Sequence, residues 1–144
     1  MEDDEPDLLD DIARYLHERG LVDYDSEGVG GDLFMEAMPS GPDACVVLTG
    51  YGGPEPDSLL PYDLPRVQVR VRGGTDPRIS RRRAKRIRSE LHGLSSVVLP
   101  GGTNVISCLA LQAAPESLGV DDNRRHEHVV NFEFEIRETS VHRS

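Results

Sequence analysis

The sequence predicts an α+β fold: a mostly antiparallel sheet of about four to six strands with two helices packed on one face. Three observations predict it. Short runs that alternate apolar and polar residues fall into two groups, and one amphipathic helical stretch precedes each group. Most links between the runs are short enough for hairpins. The 144 residues carry no internal repeat and no shift in composition, so residues 1–144 read as a single domain.

Residues 7–19 open the fold as a helix, with Leu8, Leu9, Ile12, Ala13 and Leu16 on one stripe. Pro6 suits the entry to a first turn and Gly20 suits a C-terminal stop. The segment 22–32 clusters glycine and aspartate without periodicity and reads as a loop. Strand-like runs follow at 33–38 and 44–49. Residues 50–65 hold three glycines and four prolines, so they read as a long flexible loop, expected to be mobile in a free subunit and ordered in an assembly.

"RVQVRVR" (66–72) alternates strictly, with Val67, Val69 and Val71 on one face and Arg66, Gln68, Arg70 and Arg72 on the other. Asp76 is a natural N-cap and Pro77 a natural first helical residue for a helix that runs to about His92 and stops at Gly93. Strands are expected at 96–99 and 104–113. The second is apolar on both alternating sets, which implies cover on both faces. The last strand, 127–137, sets Val130, Phe132, Phe134 and Ile136 against Glu133, Glu135 and Arg137.

The formal charge is −10, and no apolar run approaches the ~20 residues that a membrane helix needs. The acidic start, residues 1–6, reads as a flexible tail and not as a secretory signal, which begins basic. Cys45 and Cys108 lie in apolar runs and read as buried reduced thiols. The composition thus points to a soluble, intracellularly made protein.

Candidate chemistry is thin. Asp23, Asp25, Glu27 and Gly28 copy the first half of a calcium loop, but its twelfth position is Phe34, not glutamate. "GVGGD" (28–32) lacks the Lys-Ser/Thr of a phosphate loop. Asp121, Asp122, His126, Glu127 and His128 gather near one turn without a third ligand at diagnostic spacing. No nucleophile elbow is present. The reading is therefore no catalytic residue, no metal, no cofactor and no enzyme.

The informative feature is "RISRRRAKRIRS" (78–89), in which Arg78, Arg81, Arg82, Arg83, Lys85, Arg86 and Arg88 stand without an acid. Ile79, Ala84, Ile87 and Leu91 form its apolar face, and Arg83 alone among the cations falls beside it. Arg83 is expected to snorkel at the edge of that face, the alternative being a buried carboxylate partner. Residues 66–88 hold ten of the sixteen bases, whereas the first eleven residues hold seven acids. Three uses compete: a solvated face, a nucleic-acid footprint, and a protein interface. With few aromatic residues and a pI near 4.9, affinity for polyanions is disfavoured. Fifteen arginines to one lysine favour bidentate pairing with carboxylates across an interface. The interface residues expected are Arg70, Arg72, Arg78, Arg81, Arg82, Lys85, Arg86, Arg88, Glu133 and Glu135.

"MPSGPDACVVLTGYGGPEPDS" (38–58) and "LPRVQVRVRG" (64–73) resemble the minor capsid, tail-terminator-like proteins of long-tailed (siphovirus-type) bacteriophages. The likeness continues at Ala84, Ile87, Leu91 and Gly93 and resumes at "APESLGVDDNRRHEHVVNFEFEI" (114–136). The arginine-rich helix and the acidic N-terminus depart from that pattern. The resemblance implies a non-enzymatic subunit of a homo-hexameric ring in the neck of the virion, assembled in the host cytoplasm. Its implied partners are further copies of itself, the major tail tube protein and a head completion or connector protein. DNA would pass through the ring without specific binding, past an acidic lumen that repels phosphates. Another head–tail joining role, or a small nucleic-acid-binding protein using 78–88, stands as the alternative.

Overall fold

The structure, a computed structural model, describes residues 6–27 and 30–144. The acidic stretch of residues 2–5 and the Gly28–Val29 part of the glycine cluster lie outside the described residues. The elements are α1 (Leu8–Glu18), β1 (Leu33–Met35), β2 (Cys45–Gly50), β3 (Tyr62–Asp63), β4 (Arg66–Arg72), α2 (Pro77–Leu91), β5 (Ser95–Val98), β6 (Asn104–Ala110), β7 (Glu116–Val120) and β8 (His126–Arg137).

The fold is α+β with two helices, as expected, but the sheet is mixed and has eight strands. Its order is β1-β2-β4-β8-β6-β5, with β3 and β7 also paired to β8. β8 is the spine. Arg137 pairs with Tyr62 of β3 and with Asn104 of β6, while Glu127 pairs with Arg72 of β4 and with Gly119 of β7. Strands β3 and β4 therefore line one side of β8, and β6 and β7 line the other.

Two strands escaped the sequence reading. Tyr62–Asp63 is too short to alternate, and every residue of β7 is exposed, so neither run carries an apolar period. The parallel pairing of β1 with β2 was equally invisible, because nine residues are short for a parallel return. That return, residues 36–44, crosses the face of the sheet away from the helices. Glu36 turns the chain in the left-handed region (φ 66°), and Met38 reaches the thiol of Cys45 on that face.

On the opposite face, Val46, Leu48, Val67, Val69, Val71, Val130, Phe132, Phe134 and Ile136 form one core with Ile12, Ala13 and Leu16 of α1 and Ala84, Ile87 and Leu91 of α2. Burial at roughly 25 cal/mol per Å² makes this shared layer the main source of stability. Both helices start as their caps require. Asp7 accepts from the amides of Leu9 and Asp10, and Asp76 accepts from that of Arg78. Arg78 beside it holds the Asp76 carboxyl at about 2. A buried carboxylate ties α1 to the β5–β6 turn: Asp11 accepts from both the amide and the hydroxyl of Thr103. Gly101 (φ 100°) is required there, because a Cβ would collide with the Asp11 carboxylate.

Two details of α2 correct the helical wheel. Ile79, assigned to the apolar face, is 54% exposed, and Ser80 is buried in its place against His128. Arg83 does not snorkel. It donates to Asp32 Oδ2 at 2.7 Å and to the carbonyl of Leu21 at 3.2 Å, with little of its side chain exposed. Cys45 and Cys108 are free and buried, as expected.

The long connection 50–65 is anchored more firmly than its composition suggests. The amide of Tyr51 donates to the carbonyl of Arg66, and that of Arg66 donates to Gly52. Arg143, near the C-terminus, donates to both carboxylate oxygens of Asp63 (2.9 and 2.8 Å) and to the carbonyls of Asp57 and Leu60.

Two expected outcomes follow from these pairs. Arg83→Met leaves the Asp32 carboxylate uncompensated at a part-buried site. It should cost about 2 kcal/mol in chemical denaturation, between the ~0–1 of an exposed pair and the ~3–5 of a buried one. Adding Asp32→Asn should recover at least half of that loss. The second outcome concerns pH. The hydrogen bonds from Arg143 hold Asp63 below the usual carboxylate range. Its contribution is therefore complete above the ordinary value of about 3.9 and lost as pH falls through the lower folded value. NMR signals of Leu60 and Tyr62 should hold their positions down to about pH 4 and move toward random-coil values only below it, and Arg143→Gln should produce the same shifts at neutral pH.

Candidate interface on the second helix

The fold divides the predicted interface residues into two groups. Arg66 and Arg70 project from the helix-free face of β4 and meet acids of β8 in the same chain. Arg66 pairs with Glu133 at 3.3 Å, and Arg70 pairs with the buried Glu127. Glu133, expected to face a neighbour, is thus already engaged. Glu135 lies half-buried on the same face, opposite Ser107 of β6.

Arg72 offers no surface to a partner. It is 2% exposed and donates to the carbonyls of Asp43 (3.0 Å), Pro39 (2.7 Å) and Pro42 (2.7 Å). Arg125, held by the Asp121 carboxylate, completes this grip on residues 36–44 through the carbonyl of Ser40 and the carboxylate of Asp43. These two guanidinium groups satisfy the carbonyls of Pro39, Ser40, Pro42 and Asp43, beyond the one bond from the Glu36 amide to Leu48 of β2. Strict alternation marked Arg72 as outward-facing but could not show that the chain folds back over it.

On α2 the same division appears. Arg78 is bound to its own N-cap, Asp76, and Arg88 donates to the carbonyl of Gln112 at 2.9 Å. Arg81, Arg82, Lys85 and Arg86 are exposed and make no hydrogen bond or ion pair among the described residues. They sit on the turns of one helix, and Arg82, Lys85, Arg86 and Ser89 enclose a shallow groove of about 300 Å³. Nearly two turns therefore present positive charge without a carboxylate in ion-pair contact. Long basic side chains also cover a helix with their aliphatic stems, so such a groove has an apolar floor and a charged rim.

The other candidate sites resolve into local structure. Asp25 accepts from the amides of Glu27 and Gly30, and Asp32 accepts from that of Asp23, so these carboxylates serve the backbone of a turn. Asp121 caps the turn before β8 by accepting from the amides of Asn123 and Arg125. His126 and His128 do share the helix-facing side of β8, but His128 bonds to Ser80 at 2.7 Å. Burial first, then Arg81 and His126, push the His128 pKa down. No metal-binding group of three or more such ligands occurs among the described residues, and no helix there is long and apolar enough to cross a membrane. A cleft of about 740 Å³ between the chain ends is lined by Leu8, Thr103, Ile136, Arg137 and Val141 among others.

One strand is left half-covered within the chain. Leu109 and Leu111, on the helix-free side, are 52% and 46% exposed, so the doubly apolar run is covered on one face only.

The described chain is thus a small α+β unit with four exposed unpaired cations on one helix and exposed leucines on its sheet. The family described as bacteriophage tail terminator protein matches residues 15–138, and the chain belongs to that family of structural phage proteins. Searches of the curated proteins and of the solved structures each returned no match.

Because Arg72 makes three bonds that an ammonium cannot reproduce in one plane, Arg72→Lys should cost about 2–4 kcal/mol in chemical denaturation. The return loop should then become sensitive to limited proteolysis. A neutral result would mean that residues 36–44 are held without Arg72.

Proposed function

We propose that this protein caps the finished tail tube, stops its polymerisation and joins tail to head, as a subunit of a homo-hexameric ring in the neck of the virion. Its partners in this reading are copies of itself, the major tail tube protein and the head completion or connector protein. The observation that carries it is the family match across most of the chain. Two features support it. The cations left over on α2 form a face suited to carboxylate-bearing protein, and Leu109 and Leu111 form a sheet surface that a neighbour would cover.

DNA traverses such a ring without being bound. A chain of formal charge −10 creates a field that repels phosphate, and four cations on one helix cannot offset it at physiological salt.

The test is negative-stain microscopy of tail tubes grown with and without the protein. Capped tubes of uniform length are expected with it, and tubes of unrestricted length without it. Unaltered tube lengths would refute the capping role. In parallel, duplex DNA should bind more weakly than micromolar at ~150 mM salt. Tighter binding that disappears with Arg81→Gln/Arg82→Gln/Lys85→Gln would establish the basic face as a nucleic-acid site instead.

A further inference from the structure

The cationic face of α2 has no carboxylate in ion-pair contact, and the same chain carries a segment of complementary chemistry. Residues 54–60, "PEPDSLL", are exposed throughout. Glu55 makes no hydrogen bond or ion pair among the described residues. Asp57 accepts from the amides of Leu59 and Leu60, both through Oδ1 at 2.7 Å, which leaves Oδ2 facing outward. Those backbone bonds hold its carboxyl below the usual range, so it is ionised at neutral pH. Beside these acids Leu59 and Leu60 are 74% and 58% exposed, the most exposed leucines of the described chain.

The segment is shaped in advance. Arg143 holds the carbonyls of Asp57 and Leu60, and Asp57 closes its own turn, so the leucines and carboxylates are presented together before any partner arrives. Preorganisation of this kind removes ordering costs from binding.

The groove on α2 is complementary in both respects. Its rim carries the guanidinium and ammonium heads of Arg82, Lys85 and Arg86, with Arg81 one turn away, and its floor is made of their stems. Carboxylates fit the rim, and leucine side chains fit the floor.

The contact cannot close within one subunit. The loop adjoins Arg137 at the C-terminal end of β8 through β3, whereas Arg88 of α2 bonds to Gln112, whose side chain meets the amide of Asn131. Six residues of strand separate these points, roughly 20 Å at 3.3 Å per residue. The two surfaces could therefore meet only between copies, and because they differ, such a contact would be heterologous, the kind that can close into a ring.

We propose that the 54–60 loop of one copy docks on the α2 face formed by Arg81, Arg82, Lys85 and Arg86 of a second copy. This rests on the ring-forming reading above and names the surfaces that join its subunits.

Charge exchange tests it. Variant one is Arg82→Glu/Lys85→Glu/Arg86→Glu, and variant two is Glu55→Arg/Asp57→Asn, which keeps the side-chain oxygen that caps the turn. Self-association is read by sedimentation, alone and on tail tubes, with a thermal melt to confirm folding. Each variant alone should associate at least about tenfold more weakly than the wild type. An equimolar mixture should recover association, because every contact in an alternating ring then pairs opposite charges. If variant one is poorly folded, the milder Arg82→Gln/Lys85→Gln/Arg86→Gln takes its place, and a several-fold loss is expected. Wild-type association by either variant, or a mixture that fails to recover, overturns the proposal, while capping by the wild type keeps the terminator reading intact. A variant one that self-associates normally yet no longer caps tubes also overturns it, and assigns the α2 face to the tube protein.

Discussion

Everything in this fold hangs on β8. Twelve residues alternate so that His128, Val130, Phe132, Phe134 and Ile136 all point at the helices, and four other strands hydrogen-bond to this one. A shift of one residue in its register would send both phenylalanines to the helix-free side and Glu133 and Glu135 into the core. The same alternation fixes the opposite face, where Glu127 and Glu133 meet Arg70 and Arg66 of β4. Core packing and surface pairing are thus two consequences of one periodic strand.

The second theme is what the arginines do. An acidic chain with ten bases in 66–88 looks, in sequence, like a single positive block. In three dimensions most of that block finds partners within the chain: Arg66 and Arg70 pair with strand acids, Arg78 with its cap and Arg83 with Asp32, while Arg72 and Arg88 keep their charge and donate to carbonyls. Arginine suits these tasks because its planar fork satisfies several acceptors at once. Four cations remain on one helix face, so the signal for a partner is the remainder left after internal pairing and not the raw charge count.

Membership of the tail terminator family agrees with that remainder. A structural phage subunit needs directional contacts with unlike surfaces, and it needs them without a catalytic centre. The molecule offers a cationic helix, an acidic and apolar loop held by Arg143, and a sheet face with uncovered leucines. These lie on different sides of the chain, as heterologous assembly requires.

The sequence alone determined the α+β class, both helices, the Asp76 cap of the second, the alternating strands β4 and β8, and the core they bury. These are local features, legible because side-chain periodicity and capping depend on neighbours in the chain. Tertiary structure alone decided the parallel β1–β2 pair, the all-exposed β7, the burial of Arg72 and the pairing of Arg83 with Asp32. Each of these depends on contacts between segments from thirteen to about fifty residues apart, or lacks an apolar period altogether. A charge beside an apolar stripe does not reveal whether a carboxylate waits across the fold. Only the folded chain shows which arginines have found a partner, because pairing is a matter of distance in space and leaves no periodic mark along the sequence.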